Sequence, residues 1–389
     1  MTAAVQLRPE TTPDVEIQPV SSTADREAFL RFPMRLYQDD PNFVPPILAE
    51  RRDFLDPKRN PFFQHASVQL FLARRGGDVV GRIAAVDDPN WNKFHNSQTG
   101  FFGMFDAIDD AGVAAALFDI AAQWVARRGL KTFLGPVNLS TNSDCGLLVE
   151  GFDTPPSMMM PYNFPYYTRL FEASGFRKAR DLWSYEISSS IAPPEQVVRV
   201  ADRLRATPGV TVRQLRLKEL PEETRRIKSI YHAMLEQTWG FVPLSDDEFD
   251  LIAARLKPLV QMCPDLCLIA EVHGEPVAFA LTLPDSNVAL KAAGGQLTRF
   301  GLPVGLARMW WASRKIDRLR MLMLGIKPGY RRRGIDALLA IETLRTARAH
   351  GYSGAELGWT TEDNELMNRA IERMGARRYK TYRMYERSL

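Results

Sequence analysis

Three cysteines in 389 residues, Cys145, Cys263 and Cys267, are too few and too scattered for a disulfide framework. Cys263 and Cys267 form a CPDLC pair with no histidine or further cysteine nearby, so no metal site is expected there. Long apolar runs are missing too. GVAAALFDIAAQWVA falls short of the roughly 18 residues a spanning helix needs and is interrupted by Asp119. The amino-terminal MTAAVQLRPETTPDVEIQPV has acids and prolines where a signal peptide has its apolar core. These absences lead us to expect a cytoplasmic protein with no membrane partner. Strong net charge is also absent. Fifty basic against 46 acidic residues leave +4, which suits an anionic small ligand. With no concentrated basic stripe, nucleic acid is not an expected partner.

What is present is 45% hydrophobic content and a length sufficient for about two or three domains. After a loose tail or short strand in the first twenty residues, ASVQLFLARRGGDVVGRIAAVDD reads as two strands around a Gly-Gly turn. TGFFGMFDAI is a further strand, AGVAAALFDIAAQWVARRGL a helix closed by Gly129, and TFLGPV a strand. Residues 166–186 then read as a helix ending at Gly175 and a closing strand. Beyond the linker SSSIAPPEQ and the helix VVRVADRLRATPG, the order returns. ETRRIKSIYHAMLEQTWG is a helix and LCLIAEVHGEPVAFALTLP a strand–turn–strand. Strand 318–326, helix 335–350, strand SGAELGWT, helix NELMNRAIERMG and strand RRYKTYRMYER follow. RLFEASGFRKARDLWSYE matches RAIERMGARRYKTYRMYE in character, and internal duplication accounts for the length, with units at 1–205 and 206–389.

The most informative stretch is KPGYRRRGIDALL (327–339), between a buried strand and a helix. The N–H groups of Arg332, Arg333, Gly334, Ile335 and Asp336 fall in or before the first helical turn, where donors lack intrahelical partners. A diphosphate there would meet those donors and the favourable end of the helix dipole. Gly334 would allow close approach of its oxygens.

LGIKPGYRRRGIDALL resembles the acyl-CoA-binding segment of the GCN5-related N-acetyltransferase (GNAT) family, whose Arg/Gln-x-x-Gly-x-Gly/Ala loop holds the coenzyme A pyrophosphate. Arg331, Gly334 and Asp336 occupy the matching places, the last of them departing from the small residue usual there. Asn364 and Gly375-Ala376 match the family's pattern after its fifth strand. The resemblance implies an α/β fold of tandem acyl-CoA N-acyltransferase-like domains with mixed, mostly antiparallel sheets. The first unit has the acidic DDAG (109–112) where the loop would be and reads as degenerate, so the acyl-CoA site is expected in 206–389 alone.

The same resemblance implies acyl transfer, with acetyl-CoA as donor and a small-molecule or peptide amine as acceptor. A backbone N–H within Leu324–Ile326 would meet the oxyanion. Glu356, Glu362 and Asp285 are candidate bases, Glu356 foremost. The family's general-acid tyrosine falls on Ile371 here, which leaves Tyr382, Tyr385 or water to return a proton to the thiolate. Residues 285–317, with Trp310 and Trp311, read as a lid or wall over an acceptor, and Trp239 as a lining residue. The excursion 135–167 reads as packing between the halves or a binding loop. Two other functions stay open: a catalytically weak acyl-CoA-binding or regulatory protein, and an aminoacyl transferase using charged transfer RNA. Oligomeric state is not legible.

Overall fold

The structure is a computed structural model that describes residues 15–235, 239–298 and 301–389. The reading of 236–238 as helix, and of the first fourteen residues as tail, lies outside the described residues. The first half contains β1 (Glu16–Pro19), α1 (Thr23–Leu36), α2 (Leu48–Phe54), β2 (Ser67–Arg75), β3 (Asp78–Asp87) and α3 (Pro89–His95). It continues with β4 (Thr99–Ala107), α4 (Ala111–Ala126), β5 (Thr132–Gly135), β6 (Leu147–Glu150), α5 (Tyr167–Ala173) and β7 (Arg177–Ser188). The linker forms α6 (Glu195–Arg205). The second half begins with β8 (Val210–Gln214), α7 (Leu220–Leu235), α8 (Asp246–Met262), β9 (Cys267–Val272) and β10 (Glu275–Pro284). Then come α9 (Asn287–Ala293), α10 (Val304–Ser313), β11 (Arg318–Ile326), α11 (Ile335–Ala349), β12 (Gly354–Thr361), α12 (Glu365–Arg373) and β13 (Arg377–Ser388).

All strands share one sheet, ordered β1-β2-β3-β4-β5-β13-β7-β12-β11-β10-β9-β8, with β6 also paired to β13. Read inward from either edge, the two halves have the same order, and each has one parallel pair, β4–β5 and β11–β12. The remaining pairs are antiparallel. The closing strands are exchanged. β7, from the first half, completes the second half's sheet against β12, while β13 runs along β5 in the first. The two twelve-residue strands then pair with each other at the centre.

Side-chain alternation divides the second half's core between two faces. Helices α7 and α8 cover Cys267, Ile269 and Phe279, whereas α11 covers Leu268, Ala270 and Ala280 from the other side. The first half is filled with phenylalanine: Phe102, Phe105, Phe118, Phe133, Phe171 and Phe176 are all buried. Phe105 and Phe118 stack at 4.5 Å. Burying each such ring is worth about 1.5–3 kcal/mol. Tyr385 of β13 joins this core, 5.1 Å from Phe171, so the last strand of the chain helps hold the first half together.

Candidate active site

Strands β11 and β12 run in register from Arg318 opposite Gly354 to Met321 opposite Leu357, and then part. Two local features drive them apart. A bulge leaves Leu322 without a partner in β10, between Met321 opposite Thr282 and Met323 opposite Leu281, and such bulges bend the strand that carries them. Past Gly358, β12 pairs only with β7, Thr360 facing Trp183. The backbone of β11 from Leu322 to Ile326 therefore has a strand partner on one side only, and N–H groups on the open side remain available as donors.

A cavity of about 1570 Å³ fills this opening. Ile227, Tyr231 and Leu256 of α7 and α8 line it from one face, and Ala340 and Leu344 of α11, with Met374 at the end of α12, from the other. It thus passes through the sheet. Leu324, Ile326 and Trp239 line it, as does Ile371 at the place of the family's tyrosine. Asn364 lines it too, while its side chain caps α12 by accepting from Met367 N.

The arginine loop stands at one mouth. Gly334 is the N-cap of α11 at φ +85°, and the cap has no side-chain hydrogen bond. No acceptor is found among the described residues for the N–H groups of Arg332 to Asp336, the set that a bound anion would complete. Buried Ile335 anchors the helix on the sheet. The three arginines differ. Arg331 is tied into the protein, donating through Nη2 to the Met234 carbonyl at 2.7 Å and through Nε to that of Ile326 at 3.3 Å. Arg333 lies over the Tyr330 ring at 5.2 Å. Arg332, at φ +60°, lines the cavity with no side-chain partner among the described residues, and so is placed to meet a ligand's charge. Asp336 lines the same mouth.

Glu356 is 1% exposed and pairs with Arg320 at 3.2 Å, Oε1 to Nη1. Its other oxygen accepts from the Tyr379 hydroxyl. Burial pushes the Glu356 carboxyl up and Arg320 opposes the shift. The register explains the pair, because Arg320 and Glu356 are direct neighbours on β11 and β12. Arg320 lines the large cavity. Tyr379 lines a second one of about 1050 Å³, with Ser157, Asp285 and Trp311. Glu356 itself lines neither cavity and lies buried between Arg320 and Tyr379. Glu362 is held elsewhere, bonded to Lys178 at 2.6 Å and to the backbone N–H of Asp181.

Two expectations need correcting. Tyr385 lies in the first half's phenylalanine core, outside the cavity lining, because β13 crosses to pair with β5. Trp310 and Trp311, 63% and 58% exposed on α10, do not close over the large cavity, although Trp311 walls the second one. Tyr382 is fully buried, its hydroxyl without a partner among the described residues and close to the Glu356–Arg320 pair, and it too is outside the cavity lining. Sequence reasoning passed over α8, although Ser245 and Glu248 form a capping box that marks its start. It also passed over Arg320 and Tyr379, which look like ordinary strand residues until the register pairs them with Glu356. The excursion 135–167 serves both cavities, Thr141 to Ser143 lining the larger and Thr154 to Ser157 the smaller.

The Acetyltransferase (GNAT) family model matches residues 227–376, which hold the parted strands and the arginine loop. Protein YghO of Escherichia coli (strain K12) is 37% identical over 374 residues, 94% of this chain and 93% of its own. The Bacterial ceramide synthase of Caulobacter vibrioides (strain NA1000 / CB15N) is 35% identical over 386 residues, 97% of this chain and 99% of its own. Among solved structures, a tandem GNAT protein from the clavulanic acid biosynthesis pathway superposes with a TM-score of 0.54 at 14% identity. That match covers 96% of this chain and 98% of the other, so the likeness of fold spans both halves. With its parted parallel strands, its uncapped helix after the arginine loop and these relatives, the chain belongs to the GNAT family, as a tandem member whose two units exchange their last strands.

Proposed function

We propose that the protein is an N-acyltransferase that joins a long acyl chain from a CoA thioester to the amine of a lipid-like acceptor, a sphingoid base being the class that the 35%-identical ceramide synthase suggests. The observation that carries this reading is the through-sheet cavity. At about 1570 Å³ it is larger than the roughly 300–1,000 Å³ of common small-ligand sites, and its walls are mainly aliphatic and aromatic. The pantetheine arm of CoA would take part of that space, and the apolar remainder suits a chain longer than acetyl. The CoA diphosphate would lie on the N–H groups of Arg332 to Asp336 with Arg332 beside it, and the acyl chain would run through the parted strands. The thioester carbonyl would meet the open N–H groups of β11 between Leu324 and Ile326 as its oxygen becomes negative. Glu356 is the proposed final proton acceptor, reached through Tyr379, whose hydroxyl would take the amine's proton as it passes its own to Glu356. Apolar Ile371 leaves the return of a proton to the thiolate to water.

Thiol release measured across a series of acyl-CoA donors, with a sphingoid base as acceptor, tests the reading. Each methylene buried is worth about 0.8 kcal/mol, so affinity should rise up to about fourfold per carbon until the cavity is filled. A preference for acetyl-CoA would overturn the long-chain assignment. In the same assay Glu356→Gln should lower turnover about 10²-fold or more with CoA affinity kept. An unaltered pH–rate profile in that variant, with the fold intact by circular dichroism, would remove Glu356 from the mechanism.

A further inference from the structure

Helix α10 is amphipathic in the wrong sense for a helix facing water. Its inner side is built of small residues: Gly305 and Ala312 are buried, as are Ala289 and Ala293 on neighbouring α9. A Cβ at Gly305 would come within 1.7 Å of the Gln296 carbonyl oxygen, so the tight packing depends on that glycine. The large apolar side chains point outward. Leu302, Leu306 and Trp310, spaced four apart, are 63%, 43% and 63% exposed, with Trp311 beside them. Single exposed apolar residues are ordinary, but two adjacent tryptophans extending a leucine stripe form a patch that marks a docking surface.

The charge of the patch is equally one-sided. Between residues 286 and 316 the sequence has no aspartate or glutamate, although the whole chain is nearly balanced. Lys291, Arg308, Arg314 and Lys315 are exposed there. Arg314 lies 3.8 Å from the Trp310 ring centroid and Lys315 3.9 Å from that of Trp311. Indole rings flanked by cations suit the headgroup region of a bilayer, where an amphipathic ring meets both apolar and polar surroundings. The cations fit anionic headgroups. A second copy of the chain on this face would bring two basic sets together, which disfavours a symmetric dimer here.

We propose that the α9–α10 hairpin seats the protein on the surface of an anionic lipid bilayer. Among the described residues no helix is long and apolar enough to cross a membrane, and a surface-bound hairpin needs none. Val304, Ala307 and Trp311 of the hairpin also wall the second cavity, which Tyr379 lines as well. A lipid amine could therefore pass from bilayer to protein without crossing bulk water. That last step rests on the acyl-transfer reading, whereas binding to the bilayer does not.

The test is cosedimentation of the full chain with vesicles of phosphatidylcholine, with and without phosphatidylglycerol. The protein should pellet with the anionic vesicles, and a Leu302→Ser/Leu306→Ser/Trp310→Ser variant should lose at least about tenfold in partitioning. Arg308→Gln/Arg314→Gln/Lys315→Gln should cost about fivefold per charge on anionic vesicles and nothing on pure phosphatidylcholine. Circular dichroism should be unchanged in both variants, since every altered side chain is exposed. Failure of the wild type to bind anionic vesicles, or equal binding by the serine variant, would overturn the proposal. So would light scattering that shows a dimer which the serine variant dissociates. Thiol release with the amine supplied in detergent reports on acyl transfer without a bilayer, so a failure of that reading would leave the vesicle result standing.

Discussion

The two halves share a strand order and differ where a ligand would bind. In the first, Asp110 caps α4 with its own carboxylate, accepting from Gly112 N at 2.8 Å and Val113 N at 3.1 Å. Arg75 holds the second oxygen at 2.7 Å. An anion is thus built into the place where a diphosphate would otherwise sit. In the second half, Gly334 caps α11 and offers no side chain, so the equivalent donors stay open. The strands differ in the same sense. After β5, Val137 N donates to the Phe102 carbonyl at 2.7 Å and Asn138 accepts from Met104 N at 2.8 Å, so the chain itself closes the gap beside β4. Beside β11 that gap is open. Duplication has yielded one half that fills its own site and one that keeps it free.

The exchanged strands make the two halves inseparable. Deleting β13 would remove the strand between β5 and β7, expose the first half's core at Tyr385 and leave the central edge of β7 unpaired. We expect a truncation after Ala376 to lose cooperative unfolding altogether in thermal circular dichroism. A fragment that keeps a sharp transition near that of the full chain would show that the exchanged strand is dispensable.

A paired substitution at the two helix starts comes next in size. A Cβ at Gly334 would meet the exposed Val200 side chain at 2.5 Å, so Gly334→Glu has to shift the loop as well as bring a carboxylate near the open donors, and like charges set beside each other cost several kcal/mol; CoA affinity should fall at least about a hundredfold. Gly334→Ala is the control for backbone effects, because any side chain is strained at φ +85°. Its loss of affinity should be smaller. The mirror change, Asp110→Ala, should leave CoA affinity alone and cost about 1–2 kcal/mol of stability through the lost cap. Hydrogen bonding from Arg75 holds the Asp110 carboxyl below its ordinary value, so its contribution is present above the unfolded pKa near 4 and is lost as pH falls further. The stability gap between wild type and Asp110→Ala should therefore be full at neutral pH and shrink in acid. Calorimetry with CoA, together with urea unfolding at several pH values, separates the two halves' responses. A drop in CoA affinity in Asp110→Ala would mean that the first half's helix also binds.

These contrasts were only partly legible in the sequence. The arginine loop was, because its donors and its glycine are contiguous and their chemistry is local. So was the order of strands and helices, which hydrophobic periodicity and glycine stops record. The exchange of β7 and β13 was not. Both strands follow a short helix ending in glycine, and their sequences match in character, so nothing local says which half each one closes. Arg320 and Glu356 were obscure for a related reason. A charge in a strand reads as a solvent-facing position until the neighbouring strand's register sets an opposite charge beside it. Trp311 walls the second cavity, but neither tryptophan covers the large one, because aromatic composition cannot tell an inward helix face from an outward one when the inward face is alanine and glycine.

Asp336 is the residue at which the open helix start still resembles the closed one. Asp336 sits in the first turn of α11, where a carboxylate interacts favourably with the helix dipole by about 0.3–1 kcal/mol. The same position faces the mouth where the diphosphate is proposed to lie. The two anions compete for one positive helix end. Asp336→Ala should then lower stability by a few tenths of a kcal/mol up to about 1, and raise CoA affinity by about two- to fivefold at low ionic strength. Added salt should reduce the gain, since the repulsion it removes is between partly exposed charges. Alanine rather than glycine keeps helix propensity out of the comparison. Weaker CoA binding in Asp336→Ala would mean that this carboxylate orders the loop or meets a cationic part of the ligand, and the likeness to Asp110 as a competing anion would be lost.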